Sequence, residues 1–185
     1  VVGIVPTHIF VLGTSINTDI IAKPSTVCHD PHKPGSGNNS TCFGVPQRGD
    51  VDSNGNTVDP WAIAAYWSNG PKLGEVNEEN NTIAVILGHT VSSTVGAFRD
   101  IGNLRSGDEV VFTDDQGAIV RLQVLEVRSG VAKSGTDTLY DALKARPTGA
   151  IAALVTCSGD TANYQGFGTS HQDNTIVFLA PVQRE

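Results

Sequence analysis

Hydrophobic positions along the chain fall into short runs rich in β-branched residues, each closed by Gly, Pro, Asn or Asp. Such runs read as strands of a mainly β domain, because branched side chains suit a pleated, half-buried surface and turn residues stop the run. The pattern predicts strands over residues 8–12, 83–87, 109–113, 119–127, 150–156 and 175–181. Between the third and fourth of these, Asp114-Asp115-Gln116-Gly117 is a polar connection ending in Gly and reads as a hairpin turn. Two segments predict short helices instead. In 98–104 the apolar residues Phe98, Ile101 and Leu104 recur at every third position, and 138–144 follows an Asp/Thr start and stops before Pro147.

Residues 23–59 break the pattern: they are crowded with Gly, Pro, Asn, Ser and Asp and show no sustained apolar period. They read as a long loop or insertion on one domain spanning residues 1–185, and a loop of that length signals function, disorder or a local constraint. Cys28 and Cys42 offer the constraint, since a disulfide closing about 15 residues stabilises by roughly 3 kcal/mol in the chain-entropy model. Cys28, His29, His32 and Cys42 are also acceptable zinc ligands, although the adjacent Cys28-His29 pair is awkward for a tetrahedral ion. The disulfide is the preferred reading, so no metal or other cofactor is expected.

Composition narrows the function. The chain has 185 residues, 39% of them hydrophobic and 17% charged, with a formal net charge of −7. A domain of this size buries roughly 70% of its unfolded surface without staples. The acidic excess argues against nucleic acid and anionic membranes as primary partners, because both require a basic face. The apolar runs fall far short of the ~20 residues a spanning helix needs. Methionine is absent, even at position 1, which reads as a processed or partial chain whose targeting segment lay upstream. Glu75, Glu78 and Glu79 read as a solvated acidic loop rather than a calcium site, and Trp61, Tyr66 and Trp67 as a core or packing cluster.

Cys157 stands apart from the other two cysteines. It ends the apolar run 151–155 after Thr156 and precedes the polar Ser158-Gly159-Asp160, so a buried strand delivers a thiol to a loop mouth. A thiol becomes a useful nucleophile when a neighbour takes or stabilises its proton. His89 has the matching setting: the apolar run 83–87, then Gly88, then His89-Thr90 entering a polar loop. Two such strands ending at one rim would bring imidazole and thiol together. On the residues alone, a buried structural cysteine with an ordinary surface histidine stays open beside the catalytic pair.

These segments resemble the sortases, cysteine transpeptidases that attach secreted proteins to the Gram-positive cell surface. Segment 82–90, Thr-Ile-Ala-Val-Ile-Leu-Gly-His-Thr, is similar to the stretch carrying the family histidine, and 154–157, Leu-Val-Thr-Cys, to its Thr-Cys strand end. Between them, 96–108 resembles the family's Phe-x-x-Leu, x-x-Gly-Asp stretch. Segments 65–75 and 173–180 resemble the actinobacterial class F, with class E next, except that Leu73 stands where class F usually has proline. The resemblance implies a closed mixed eight-stranded β-barrel with short helices. It implies Cys157 as nucleophile and His89 as acid and base. It also implies cleavage of a Leu-Pro-x-Thr-Gly-like sorting signal, with transfer to a cell-wall or pilin amine. The expected location is the extracellular face of the cell membrane, with the usual N-terminal anchor before Val1, and an exported chain favours the Cys28–Cys42 disulfide.

One departure matters. Sortases use an arginine near the start of the final strand to hold substrate and stabilise the oxyanion, and no arginine lies between Cys157 and Arg184. Asn174 and Thr175 occupy the nearest positions. An Asn amide can donate to an oxyanion without the charge assistance of guanidinium, which makes Asn174 the candidate third catalytic residue and Thr156 and Thr175 candidate substrate contacts. A catalytically weakened peptide-binding module of the envelope is the alternative function.

Overall fold

The computed structural model describes residues 3–29, 39–90, 96–132, 137–163 and 169–183. Its strands are β1 (His8–Phe10), β2 (Asn17–Lys23), β3 (Thr26–His29), β4 (Asn39–Cys42), β5 (Ala64–Trp67), β6 (Val76–Asn77), β7 (Thr82–Gly88), β8 (Glu109–Thr113), β9 (Ile119–Ala132), β10 (Ala152–Asn163) and β11 (Thr169–Pro181). Eight of them pair in the order β10-β11-β9-β8-β1-β2-β5-β7, and β7 pairs back onto β10 to close the ring. The pairs β2–β5 and β7–β10 are parallel and the other neighbours antiparallel, so the barrel is mixed. Two-residue β6 adds to the outer end of β7. Closure removes the exposed edges that an open sheet would present.

The alternation of side chains explains which runs look continuous in the sequence. Along β8, Val110 and Phe112 point into the barrel, and along β9 Val120, Leu122 and Val124 do so. Their outward neighbours, such as Arg121, meet solvent. The strand β7 and residues 152–156 of β10 and 174–180 of β11 are buried on both faces. Ala84, Ile86, Ala152, Leu154, Val177 and Leu179 face the inner core. Ile83, Val85, Leu87, Ala153, Val155, Ile176 and Phe178 face an outer cluster. Helix α1 (Asp137–Lys144) covers that cluster with Leu139, Tyr140 and Leu143, helped by Phe43 and Trp67. Two-sided burial removes the alternation and leaves unbroken apolar runs.

The hairpin turn forms as expected. Asp114 Oδ1 accepts from the Gln116 and Ala118 amides at 2.9 and 2.8 Å, and Gly117 takes φ +83°. The expected helix over 138–144 is α1. The expected helix over 98–104 is a single 3-10 turn, Ile101–Asn103. A spacing of three suits a 3-10 turn better than an α-helix, since its residues i and i+3 eclipse, and Phe98, Ile101 and Leu104 all point into the inner core. Residues 23–59 are less irregular than the composition implies. The strands β3 and β4 form their own two-stranded ladder, separate from the barrel sheet. His32 of the zinc alternative lies outside the described residues.

Candidate functional site

Parallel pairing carries two strands out of the barrel at one rim. The ladder between β7 and β10 joins Ala84 to Ala152, Val85 to Ala153, Ile86 to Leu154 and Leu87 to Val155. His89 and Cys157 each follow two residues beyond that last pair, and the Thr156 hydroxyl reaches the Gly88 carbonyl. On the other side of β10, Cys157 pairs with Asn174 of β11 and Thr156 with Thr175. Opposite residues of an antiparallel ladder stand about 4.5–5.5 Å apart at Cα. The backbone therefore gathers all five expected site residues at one end of the barrel. The side chains of Asn174 and Thr175 are 8% and 2% exposed.

His89 is half-buried, and its ring is held from two directions. Nε2 lies 2.7 Å from the carbonyl oxygen of Pro46. A carbonyl only accepts, so Nε2 carries the proton and the neutral ring keeps its lone pair on Nδ1. The Trp61 ring meets the imidazole edge-on, with centroids 4.8 Å apart and planes at 66°. Both contacts come from residues 43–63, which cross from β4 to β5. At the end of β2, Lys23 Nζ bonds both Asp50 carboxylate oxygens at 3.0 and 2.8 Å, and the Gln47 amide donates to Asp50 Oδ2 at 2.8 Å. Burial by itself raises the Asp50 pKa, but the Lys23 ammonium and the Gln47 amide outweigh it and hold the carboxyl below its ordinary value. Trp61 is fixed by its amide on Asp59 Oδ1 at 3.0 Å and by its carbonyl, which accepts from the Ala97 amide at 2.8 Å.

Pro46 and Trp61 were not legible as site residues. Trp61, expected in a packing cluster with Tyr66 and Trp67, is 42% exposed and stands apart from them. Tyr66 faces the inner core and Trp67 packs on Phe43 in the outer cluster. The signal available was a tryptophan placed in a polar, turn-rich stretch.

Side chains continue the ladder where the strands end. The Thr156 hydroxyl donates to the Gly88 carbonyl at 2.7 Å and meets the Thr90 hydroxyl at 2.8 Å. Thr156, expected as a substrate contact, is 5% exposed with its proton directed at Gly88. Two glycines make this packing possible. A Cβ on Gly88 would sit 2.6 Å from Cγ of Phe98. Gly96 takes φ +121°, a strained conformation for an L side chain, and its Cβ would strike the His89 carbonyl.

Beside Trp61 opens a cleft of about 300 Å³ lined by Asn17, Asp59, Gly96 and Arg99 among others. Among the described residues no group of three or more His, Cys, Asp or Glu is arranged to hold a metal ion. No helix among them is long and apolar enough to cross a membrane.

Solved structures share this architecture. Sortase C-1 from Actinomyces oris aligns with a TM-score of 0.54 at 16% identity, covering 96% of this chain and 73% of that one. Sortase A from Corynebacterium diphtheriae aligns with a TM-score of 0.55 at 13% identity over the whole of this chain, which spans 63% of the length of that one. The SrtA sortase from Actinomyces oris aligns with a TM-score of 0.50 at 21% identity, covering 97% and 81%. Identities this low establish the fold. A search of curated proteins finds no significant match. The Sortase domain model matches residues 47–182, the span that carries the His89 and Cys157 strand ends. The chain belongs to the sortase family of cysteine transpeptidases.

Proposed function

We propose that this protein cleaves a Leu-Pro-x-Thr-Gly-like sorting signal with Cys157 and transfers the acyl group to a cell-wall or pilin amine at the outer face of the cell membrane. The observation supporting the reading is the parallel β7–β10 ladder, whose last pair, Leu87 with Val155, lies two residues short of both His89 and Cys157. The Cys157 thiol gives its proton to the His89 Nδ1 lone pair, the resulting thiolate adds to the Thr carbonyl carbon, and the tetrahedral intermediate collapses to a thioester as the C–N bond breaks. His89, as imidazolium, gives its Nδ1 proton to the departing amine while Nε2–H stays on Pro46. An acceptor amine then adds to the thioester carbon, returns its proton to Nδ1 and expels the thiolate. Asn174, opposite Cys157 in the ladder, supplies the oxyanion donor that arginine provides elsewhere in the family, whereas Thr175, the next residue along β11, turns to the other face with Thr156 and, at 2% exposed, is no substrate contact. Resemblance in segments 65–75 and 173–180 supports class F, with class E next. In the first of these segments, Tyr66 OH donates to the Pro71 carbonyl at 2.9 Å.

Cys28 and Cys42 close the β3–β4 ladder as a disulfide. Cys28 pairs with Ser40 and Cys42 with Thr26, so the two cysteines stand on one diagonal of that ladder, and Cys42 has a partner. The decisive experiment incubates wild type and Cys157→Ala with a fluorogenic sorting peptide and an amine acceptor. Product that depends on Cys157 and on the amine is expected. Equal signals from the two proteins would defeat the enzyme reading and leave a peptide-binding module.

A further inference from the structure

We propose that Thr90 is a positioning residue, whose hydroxyl, acting through Thr156, fixes the histidine-bearing turn to the cysteine-bearing strand. The inference rests on Cys157 and His89 being the reacting pair. The last backbone pair between β7 and β10 is Leu87 with Val155, and His89 and Thr90 lie beyond the strand. From there two hydroxyls take over. Thr156 has one proton and directs it to the Gly88 carbonyl at 2.7 Å. In the 2.8 Å contact between hydroxyls, Thr90 is therefore the donor and Thr156 the acceptor. The Phe98 carbonyl, 3.2 Å from Thr90 Oγ1, is a second acceptor for that proton.

The consequence is geometric. Residues 88 and 90 are both tied to Thr156, so the residue between them, His89, is pinned on either side to the residue preceding Cys157. The His89 carbonyl is held as well, by the Phe98 amide at 3.2 Å. Pro46 and Trp61 set the angle of the ring, and the two threonines set its height against the nucleophile. Thr156 is buried and Thr90 half-buried at the strand ends, and a chain of hydrogen bonds in such a setting is reinforced by its neighbours. Thr156 thereby acts as part of the mount for His89 rather than as a substrate contact.

Thr90→Val removes the hydroxyl at constant shape, and Thr90→Ser restores it. Three readouts separate positioning from bulk: kcat and KM with the sorting peptide, the pH midpoint of Cys157 alkylation by iodoacetamide followed on the Cys157 peptide by mass spectrometry, and Tm. A misplaced base costs on the order of 10–100-fold, so Thr90→Val is expected to lose that much kcat with KM within about twofold. Its alkylation midpoint should move, and Thr90→Ser should recover both within about threefold. A lower Tm with unchanged kcat and midpoint, or failure of serine to restore them, would overturn the proposal. If Thr90→Val does not fold, Thr90→Ala is read in the same way. A wild type lacking Cys157-dependent turnover would defeat the transpeptidase reading alone. The alkylation midpoint would still decide the role of Thr90, upheld if it moves in the valine variant and overturned if it does not.

Discussion

Gly88→Ala tests how tightly the histidine turn is seated. A Cβ at this position meets Phe98 Cγ at 2.6 Å, Cδ2 at 2.8 Å and Cδ1 at 3.0 Å. Carbon atoms rest about 3.5–4.0 Å apart, so the ring or the strand end must retreat by about 1 Å. Phe98 is fully buried in the inner core and has no solvent to move into. Overpacking of this kind costs about 1–3 kcal/mol. In a chain of this length that corresponds to a Tm lower by roughly 2–12 °C. The displaced residue also carries the carbonyl that Thr156 holds and precedes His89, so turnover should fall with stability. Calorimetry of wild type, Gly88→Ala, Phe98→Leu and the double variant provides the assay. The smaller leucine leaves room for the methyl, so Gly88→Ala should cost less in the Phe98→Leu background, a coupling expected of residues in contact. A Gly88→Ala protein within about 0.5 kcal/mol of wild type, or an equal cost in both backgrounds, would refute the packing account.

Trp61→Ala should change stability little, since the ring is 42% exposed. Loss of its edge contact with His89 is expected to lower kcat by about tenfold with folding intact, measured by peptide turnover alongside Tm. Asn174→Ala is expected to slow thioester formation by about 100-fold, the scale of losing one oxyanion donor, in a single-turnover assay. Retention of the wild-type rate would remove Asn174 from the mechanism. Asp50 sets a pH dependence. Its folded pKa lies below the ordinary 3.8, so its contribution is fully present above that value and is lost as pH falls through the folded pKa. Urea unfolding from pH 7 to 2.5 should therefore show wild type more stable than Asp50→Asn at neutral pH, with the difference shrinking below about pH 4.

The strands that could be read from the sequence are those with strong one-face or two-face burial. The run 109–113 is β8 itself, and the expected runs 83–87, 119–127, 150–156 and 175–181 lie within β7, β9, β10 and β11 apart from the two residues ahead of β10. The strands β2 and β5 escaped for opposite reasons. In β2 Ile20 is buried among exposed and half-buried neighbours, so no alternation stands out. The four residues of β5, Ala64–Trp67, are all buried, and a run that short between turns gives no period. The two strands recognise each other in parallel across a 44-residue separation, an interaction without a local sequence signal.

The same division runs through the site. Cys157 and His89 stood out because each ends an apolar run at a polar loop, a pattern set by residues adjacent in the chain. The parallel pairing that ends both runs at one rim was decided by barrel closure. Pro46 reaches His89 across 43 residues and Thr90 reaches Thr156 across 66. A main-chain carbonyl carries no sequence identity, and a threonine at a strand end is equally suited to solvent, so neither contact could be read from composition or spacing. By itself the sequence determined the strands whose burial is strong on one face or both, and it singled out the candidate residues at their ends. The tertiary structure decided which groups hold the imidazole, because those hydrogen bonds exist only after the barrel has closed and brought distant strand ends side by side.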